Sequence, residues 1–208
     1  MQPFLHNYIM KIIISRYNEN IEWTKSLPNV IIYNKGPQLP SEYDNEIYLP
    51  NVGREGHTYL TYIYNNYDNL DDYTIFLQGN PFDHSPNILQ TLKKYINNKK
   101  INLDFEYISE WIIDCKLSGC IYDPTLPLKK VYEKIFNEKK ETLNFKFGAG
   151  AQFIVSKNKI RGRTKKFYYK LLKMLDYDIA PKEVWALERF WKLIFSPTAP
   201  ETKNQMEC

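Results

Sequence analysis

TIFLQGNPFDHSP, residues 74–86, opens as a run of apolar and β-branched residues and breaks abruptly at Gln78-Gly79-Asn80-Pro81, with Asp83 and His84 following at once. A buried strand followed by a turn rich in hydrogen-bonding and ionisable groups is the pattern of an open α/β sheet, whose ligands sit beyond the carboxyl ends of its strands. The same residues also suit a plain turn with a polar edge. What flanks the stretch decides which reading the chain as a whole favours.

Upstream, Ile12–Ser15 reads as a first strand, RYNENIEWTKSL as a loosely helical segment, and NVIIYNKG as a second strand ending at Gly36. A Pro-rich connection leads to REGHTYLTYIYNNYDNL, where Tyr59, Tyr62, Ile63 and Tyr67 recur at helical spacing. Downstream, Ser85 and Pro86 predict an N-cap and first helical residue for SPNILQTLKKYI. Residues 101–130 fit a strand or a short helix before a loop. FKFGAGAQFIVS reads as a later strand, KKFYYKLLKML and PKEVWALERFWKLIF as helices, and the polar segment from Ser196 as a disordered tail. The rhythm predicts a single α/β domain over residues 1–195, with a mostly parallel central sheet flanked by helices.

Composition narrows the class. The chain has 208 residues, of which 43% are hydrophobic and 25% charged, as in an ordinary globular domain. A net charge of +4 suits an anionic small molecule better than nucleic acid. Six cations in KNKIRGRTKK, without interleaved aromatics, read as solvated surface. Three cysteines, Cys115, Cys120 and Cys208, lack a paired framework or ligand spacing and predict free thiols. No segment approaches the roughly 20 apolar residues of a membrane span, and the first residues lack a basic leader pattern, so a cytoplasmic protein is expected.

Five places offer chemistry. Arg16, Tyr17, Asn18 and Glu19 supply a cation, a stacking ring, an amide and a carboxylate, the groups that hold a nucleotide; they equally suit a capped turn. In LPNVGREGHTY, Gly53 and Gly56 flank Arg54 and Glu55, with His57 in the first helical turn, where anions are attracted; a structural histidine is the alternative. Asp83 and His84 are metal-ligating types, or turn and cap groups. Gly148 and Gly150 mark a close approach of ligand or of backbone. Glu188 falls inside the apolar stripe formed by Val184, Leu187, Trp191, Ile194 and Phe195, with Arg189 expected to point away; a carboxylate there serves function or a salt bridge.

SRYNENIEW, VIIYNKG, LPNVGREGHTYLTYIYNNYDNL, YTIFLQGNPFDH, GAGAQFIVSKNKIR and LERFWKLIF, in this order over about residues 12–195, resemble domain-of-unknown-function family 3431. More distantly, IIISRYNEN is similar to the first strand and turn of GT-A-fold glycosyltransferases, and YTIFLQGNPFDH sits where those enzymes carry an Asp-x-Asp metal motif. The resemblance implies transfer of a sugar from a nucleotide-diphosphate donor to a glycan, protein or small-molecule acceptor. Arg16–Glu19, Lys35, Arg54 and His57 would then meet the nucleotide or donor, as would Gln78, Asn80, Gly148 and Gly150. Asp83 or Glu188 would act on the acceptor, and Asp83 and His84 would bind Mn²⁺ or Mg²⁺. Gln78-Gly79-Asn80 departs from that motif, because amides do not replace two carboxylates as a metal clamp. A metal-dependent hydrolase using Asp83, His84, His57 and Glu188, or a non-catalytic carbohydrate-binding module, are the competing expectations.

Overall fold

The computed structural model describes residues 9–98 and 101–197; the expected tail, from residue 198, and Cys208 lie outside them. The described chain forms one domain around a six-stranded sheet. Its strands are β1 (Met10–Arg16), β2 (Val30–Asn34), β3 (Glu46–Tyr48), β4 (Tyr73–Gln78), β5 (Phe105–Tyr107) and a late strand, Phe153–Ser156, in the order β3-β2-β1-β4-late-β5. β1 to β4 pair in parallel, and the late strand runs antiparallel to both β4 and β5. Five of the six strands therefore point the same way.

Both faces of the sheet are covered, which is why its strands read as unbroken apolar runs. Ile13, Phe76 and Phe153 bury one face beneath α1 (Arg54–Asn66). Tyr59 of that helix meets Phe76 at 4.8 Å between ring centroids, and Phe76 meets Phe153 at 5.1 Å. Ile12, Ile14, Ile75, Leu77 and Ile154 pack the opposite face, with Ile88 and Leu92 of α2 (Ile88–Ile96). Strand order reverses between β1 and β4, since β2 lies on one side of β1 and β4 on the other. Such a switch point opens a crevice at the strand ends.

The undecided segment supplies two strands of a second, three-stranded antiparallel sheet. This sheet comprises β6 (Ile112–Lys116), β7 (Gly119–Cys120) and β8 (Asn144–Gly148), in the order β7-β6-β8, with α3 (Leu128–Phe136) between β7 and β8. The late strand of the main sheet is thus β9. FKFGAGAQFIVS is not one strand: β8 and β9 belong to different sheets, joined by a turn with positive φ at Gly150 (80°) and Ala151 (51°). Cys115 and Cys120 face each other across β6–β7 as buried free thiols.

Three further expectations are corrected. The segment after β1 is only a 3-10 helix, Glu22–Ser26. The Pro-rich connection contains edge strand β3. α2 starts at Ile88 rather than Pro86, because the Ser85 hydroxyl is buried and donates to the Ile108 carbonyl instead of capping the helix. The basic run contains α4 (Lys157–Arg161), and its lysines pair with acids at the sheet edge, Lys157 with Asp72 at 3.0 Å and Lys159 with Asp104 at 3.1 Å. α5 (Lys165–Lys173) and α6 (Lys182–Ile194) form as expected and pack on the α1 side. Among the described residues, no helix is long and apolar enough to cross a membrane.

Candidate functional site

A cleft of about 890 Å³ opens at the carboxyl ends of β1, β2 and β4 and extends under the second sheet and α6. It gathers Arg16, Tyr17 and Glu19 after β1, Lys35 after β2, and Arg54 at the start of α1. Gln78, Asn80, Asp83 and His84 reach it from the turn after β4, Gly150 from the β8–β9 turn, and Glu188 from α6. Asn18, His57 and Gly148 do not line it. Asn18 is exposed beside it, while Gly148 makes room for the Tyr107 ring, which a Cβ there would meet at 2.8 Å.

Arg16 and Lys35 set the charge of one end. Each is 8% exposed, and among the described residues neither has a carboxylate within ion-pair distance. Arg16 donates through Nη1 to Asn34 Oδ1 and to the Pro37 carbonyl, both at 2.8 Å, and through Nε to the Glu19 carbonyl. Lys35 Nζ donates to the carbonyls of Val52 and Arg54. Burial holds the Lys35 ammonium down to about 7, against a weaker opposing pull from Glu55. Carbonyls fix these cations in place but do not neutralise them, so this end favours an anion.

The neighbouring groups shape the approach. Tyr17 is half-exposed, its ring free to stack. The Glu19 carboxylate accepts from the backbone N–H of Tyr17 and Asn18, which makes it the lock of its own turn. Arg54 lies over the Trp185 ring at 4.4 Å and only loosely against Glu55, at 3.6 Å. The backbone N–H groups of Gly53 and Arg54 donate to the Asp178 and Ile179 carbonyls, so these two amides at the start of α1 are already engaged. His57 is buried behind them with Nδ1 unpartnered; burial, then the nearby Lys35 charge, holds it down to about 4.

At the other end, Glu188 accepts from the Gly150 N–H at 2.8 Å and from Arg189 Nη1 at 2.7 Å. Arg189 therefore does not point away from the stripe as expected. Its long stem lets the guanidinium fold back, where it also donates to the Trp185 carbonyl and lies over the Phe147 ring at 4.8 Å. Burial, followed by the proximity of Glu55, pushes the Glu188 carboxyl above its usual range despite Arg189. The His84 ring packs against Gly150, and its buried Nδ1 has no partner.

Asp83 is exposed and accepts from Asn80 Nδ2, and among the described residues no three His, Cys, Asp or Glu side chains come together to hold a metal ion. Sequence reasoning passed over Glu55, although it stood between the two glycines, and over Trp111, Tyr122, Trp185 and Arg189. Trp111 and Tyr122 sit in the segment without clear periodicity, so nothing local marked them.

Residues 12–208 match the family described as "Protein of unknown function (DUF3431)", and the chain belongs to that family. No curated protein and no solved structure matches.

Proposed function

We propose that this chain is a glycosyltransferase that moves a sugar from a nucleotide-diphosphate donor to an acceptor hydroxyl, on a GT-A-like sheet. The observation that carries the proposal is the pair of buried cations without carboxylate partners, Arg16 and Lys35, at the carboxyl ends of adjacent strands beside the exposed Tyr17 ring. A diphosphate satisfies both cations, and Tyr17 offers a face to the base.

On this reading the acceptor oxygen forms the new bond to the anomeric carbon. The bond from that carbon to the diphosphate oxygen breaks, and its electron pair leaves with the diphosphate. Lys35 and Arg54 meet the charge that grows there, in a site whose donors are already oriented. The acceptor proton passes to Glu188, whose proton affinity burial raises. Gln78 and Asn80 offer amides to donor hydroxyls. No step is routed through a metal, since among the described residues no three acidic, His or Cys side chains gather to hold one.

The hydrolase alternative requires at least three of Asp83, His84, His57 and Glu188 on one ion, and among the described residues no three such side chains come together to hold one. The non-catalytic module differs from a transferase at Glu188: a module would keep its ligand and show no turnover when Glu188→Gln is compared with the parent. The direct test is a thermal-shift and turnover screen against nucleotide-diphosphate sugars, with and without Mn²⁺. Stabilisation and release of the nucleoside diphosphate are expected, both lost in Arg16→Ala. Failure of every donor to bind would sink the proposal.

A further inference from the structure

The two ends of the cleft differ in charge. At the β1–β2 end, Arg16 and Lys35 stand without carboxylate partners. At the second-sheet end, Glu188 and Arg189 neutralise each other at 2.7 Å, and the lining turns aromatic. Trp111 is 54% exposed and Tyr122 72% exposed, large ring faces left in water on a wall of the cleft. Exposed rings grouped at a cleft mark a binding face more often than a packing leftover.

Trp111 is also held in position. Its backbone N–H donates to Ser109 Oγ at 3.2 Å, its backbone carbonyl accepts from the Ala149 N–H at 3.0 Å, and the His84 ring meets the indole edge-on at 5.4 Å. An indole on an anchored backbone, braced by one ring and with an open face, loses less freedom when a ligand stacks on it.

We propose that this end is the acceptor subsite and that it takes a carbohydrate chain, with Trp111 and Tyr122 stacking on the C–H faces of its rings. The inference rests on the transferase reading and specifies its acceptor. The ligand here is neutral, since the buried Glu188 and Arg189 beneath it already pair with each other. It must also be amphipathic. An acyl chain would leave Glu188, Arg189 and His84 facing hydrocarbon, which is costly, whereas sugar hydroxyls hydrogen-bond with them. The cleft volume, near the upper end of what one drug-sized ligand usually occupies, leaves room for a donor and an acceptor ring together.

The test uses reducing-end-labelled cello-, malto-, galacto- and chito-oligosaccharides, titrated by fluorescence anisotropy into the full chain saturated with nucleoside diphosphate. At least one series binds, Trp111→Ala weakens it about tenfold, Tyr122→Ala weakens it less, and Trp111→Phe largely restores it. The nucleotide thermal shift stays unchanged in Trp111→Ala, because that side chain lies at the far end of the cleft. The inference is overturned if no series binds, if Trp111→Ala binds as the parent does, or if alkyl chains or peptides bind in place of sugars. Failure of the transferase reading registers separately: no nucleotide sugar binds or turns over, while saccharide affinity still depends on Trp111.

Discussion

Lys35 burdens the folded protein with a charge it does not pair, and the burden has a definite pH signature. Its proton affinity falls from the ordinary 10.5 to about 7 on folding, mainly through burial, with Arg54 opposing the charge and Glu55 favouring it. At 1.36 kcal/mol per tenfold change, the charged form costs on the order of 5 kcal/mol below pH 7. Between pH 7 and 10.5 the unfolded chain binds more protons than the folded one, so stability rises with pH across that window, and the cost is nearly gone at pH 10. Lys35→Met removes the charge, but leaves the Val52 and Arg54 carbonyls without their donor, at roughly 1–3 kcal/mol each. Measured against the parent, Lys35→Met is therefore expected to be about 4 kcal/mol more favourable at pH 6 than at pH 10, where it destabilises. Urea denaturation of both proteins across that range measures the difference directly. A difference that is the same at pH 6 and pH 10 would refute the depressed proton affinity, and with it the argument that this ammonium awaits an anion.

Three other outcomes are expected. Gly150→Ala should destabilise by about 1–2 kcal/mol and cut turnover, since φ is +80° and a Cβ would lie 2.9 Å from His84 Nδ1; unchanged urea midpoints would contradict this. Glu188→Gln strands a buried guanidinium and should cost about 3 kcal/mol, whereas Glu188→Gln with Arg189→Met should recover most of the stability and none of the turnover, as read by denaturation and product assays. His57 keeps its folded proton affinity at about 4 against the ordinary 6.5, so the unfolded chain binds the extra proton between these values and stability falls as the pH drops through them. His57→Leu should flatten that limb by about 3 kcal/mol, and an unaltered acid profile would count against a buried neutral imidazole.

The main sheet was legible because its physics is local. A parallel strand covered on both faces must be apolar throughout, and Ile12–Ile14 and Ile75–Leu77 are. β3 was hidden because three partly exposed residues at a sheet edge need no pattern. The division between β8 and β9 was hidden because the turn depends on positive φ at Ala151, a conformation its side chain does not advertise. Most of the cleft lining on β1, β2, β4 and α1 followed from the strand-end rule. The aromatic end did not, since Trp111 and Tyr122 reach the cleft by flanking a β6–β7 hairpin that no clear periodicity marked.

The amides that replace the expected carboxylates after β4 also have a local cause. Gly79 is wedged between strands and side chains: its N–H donates to the Ser15 carbonyl at 2.7 Å, Trp23 Nε1 donates to its carbonyl at 3.0 Å, and a Cβ would strike the Glu19 carboxylate at 2.7 Å. One carboxylate thus already sits over the turn. Asn80 closes the turn in both senses, accepting from the Phe82 N–H and donating through Nδ2 to Asp83 at 3.1 Å. An aspartate at 80 keeps the first bond and turns the second into a contact between like charges. In this exposed position the repulsion amounts to about 1 kcal/mol, screened by salt. Asn80→Asp should therefore lower the melting temperature at low salt, and Mn²⁺ should restore it, because the two carboxylates then offer a cation what the native amide does not. If Asn80→Asp is as stable as the parent and indifferent to Mn²⁺, the amide is not what keeps Asp83 from acting as half of a metal clamp.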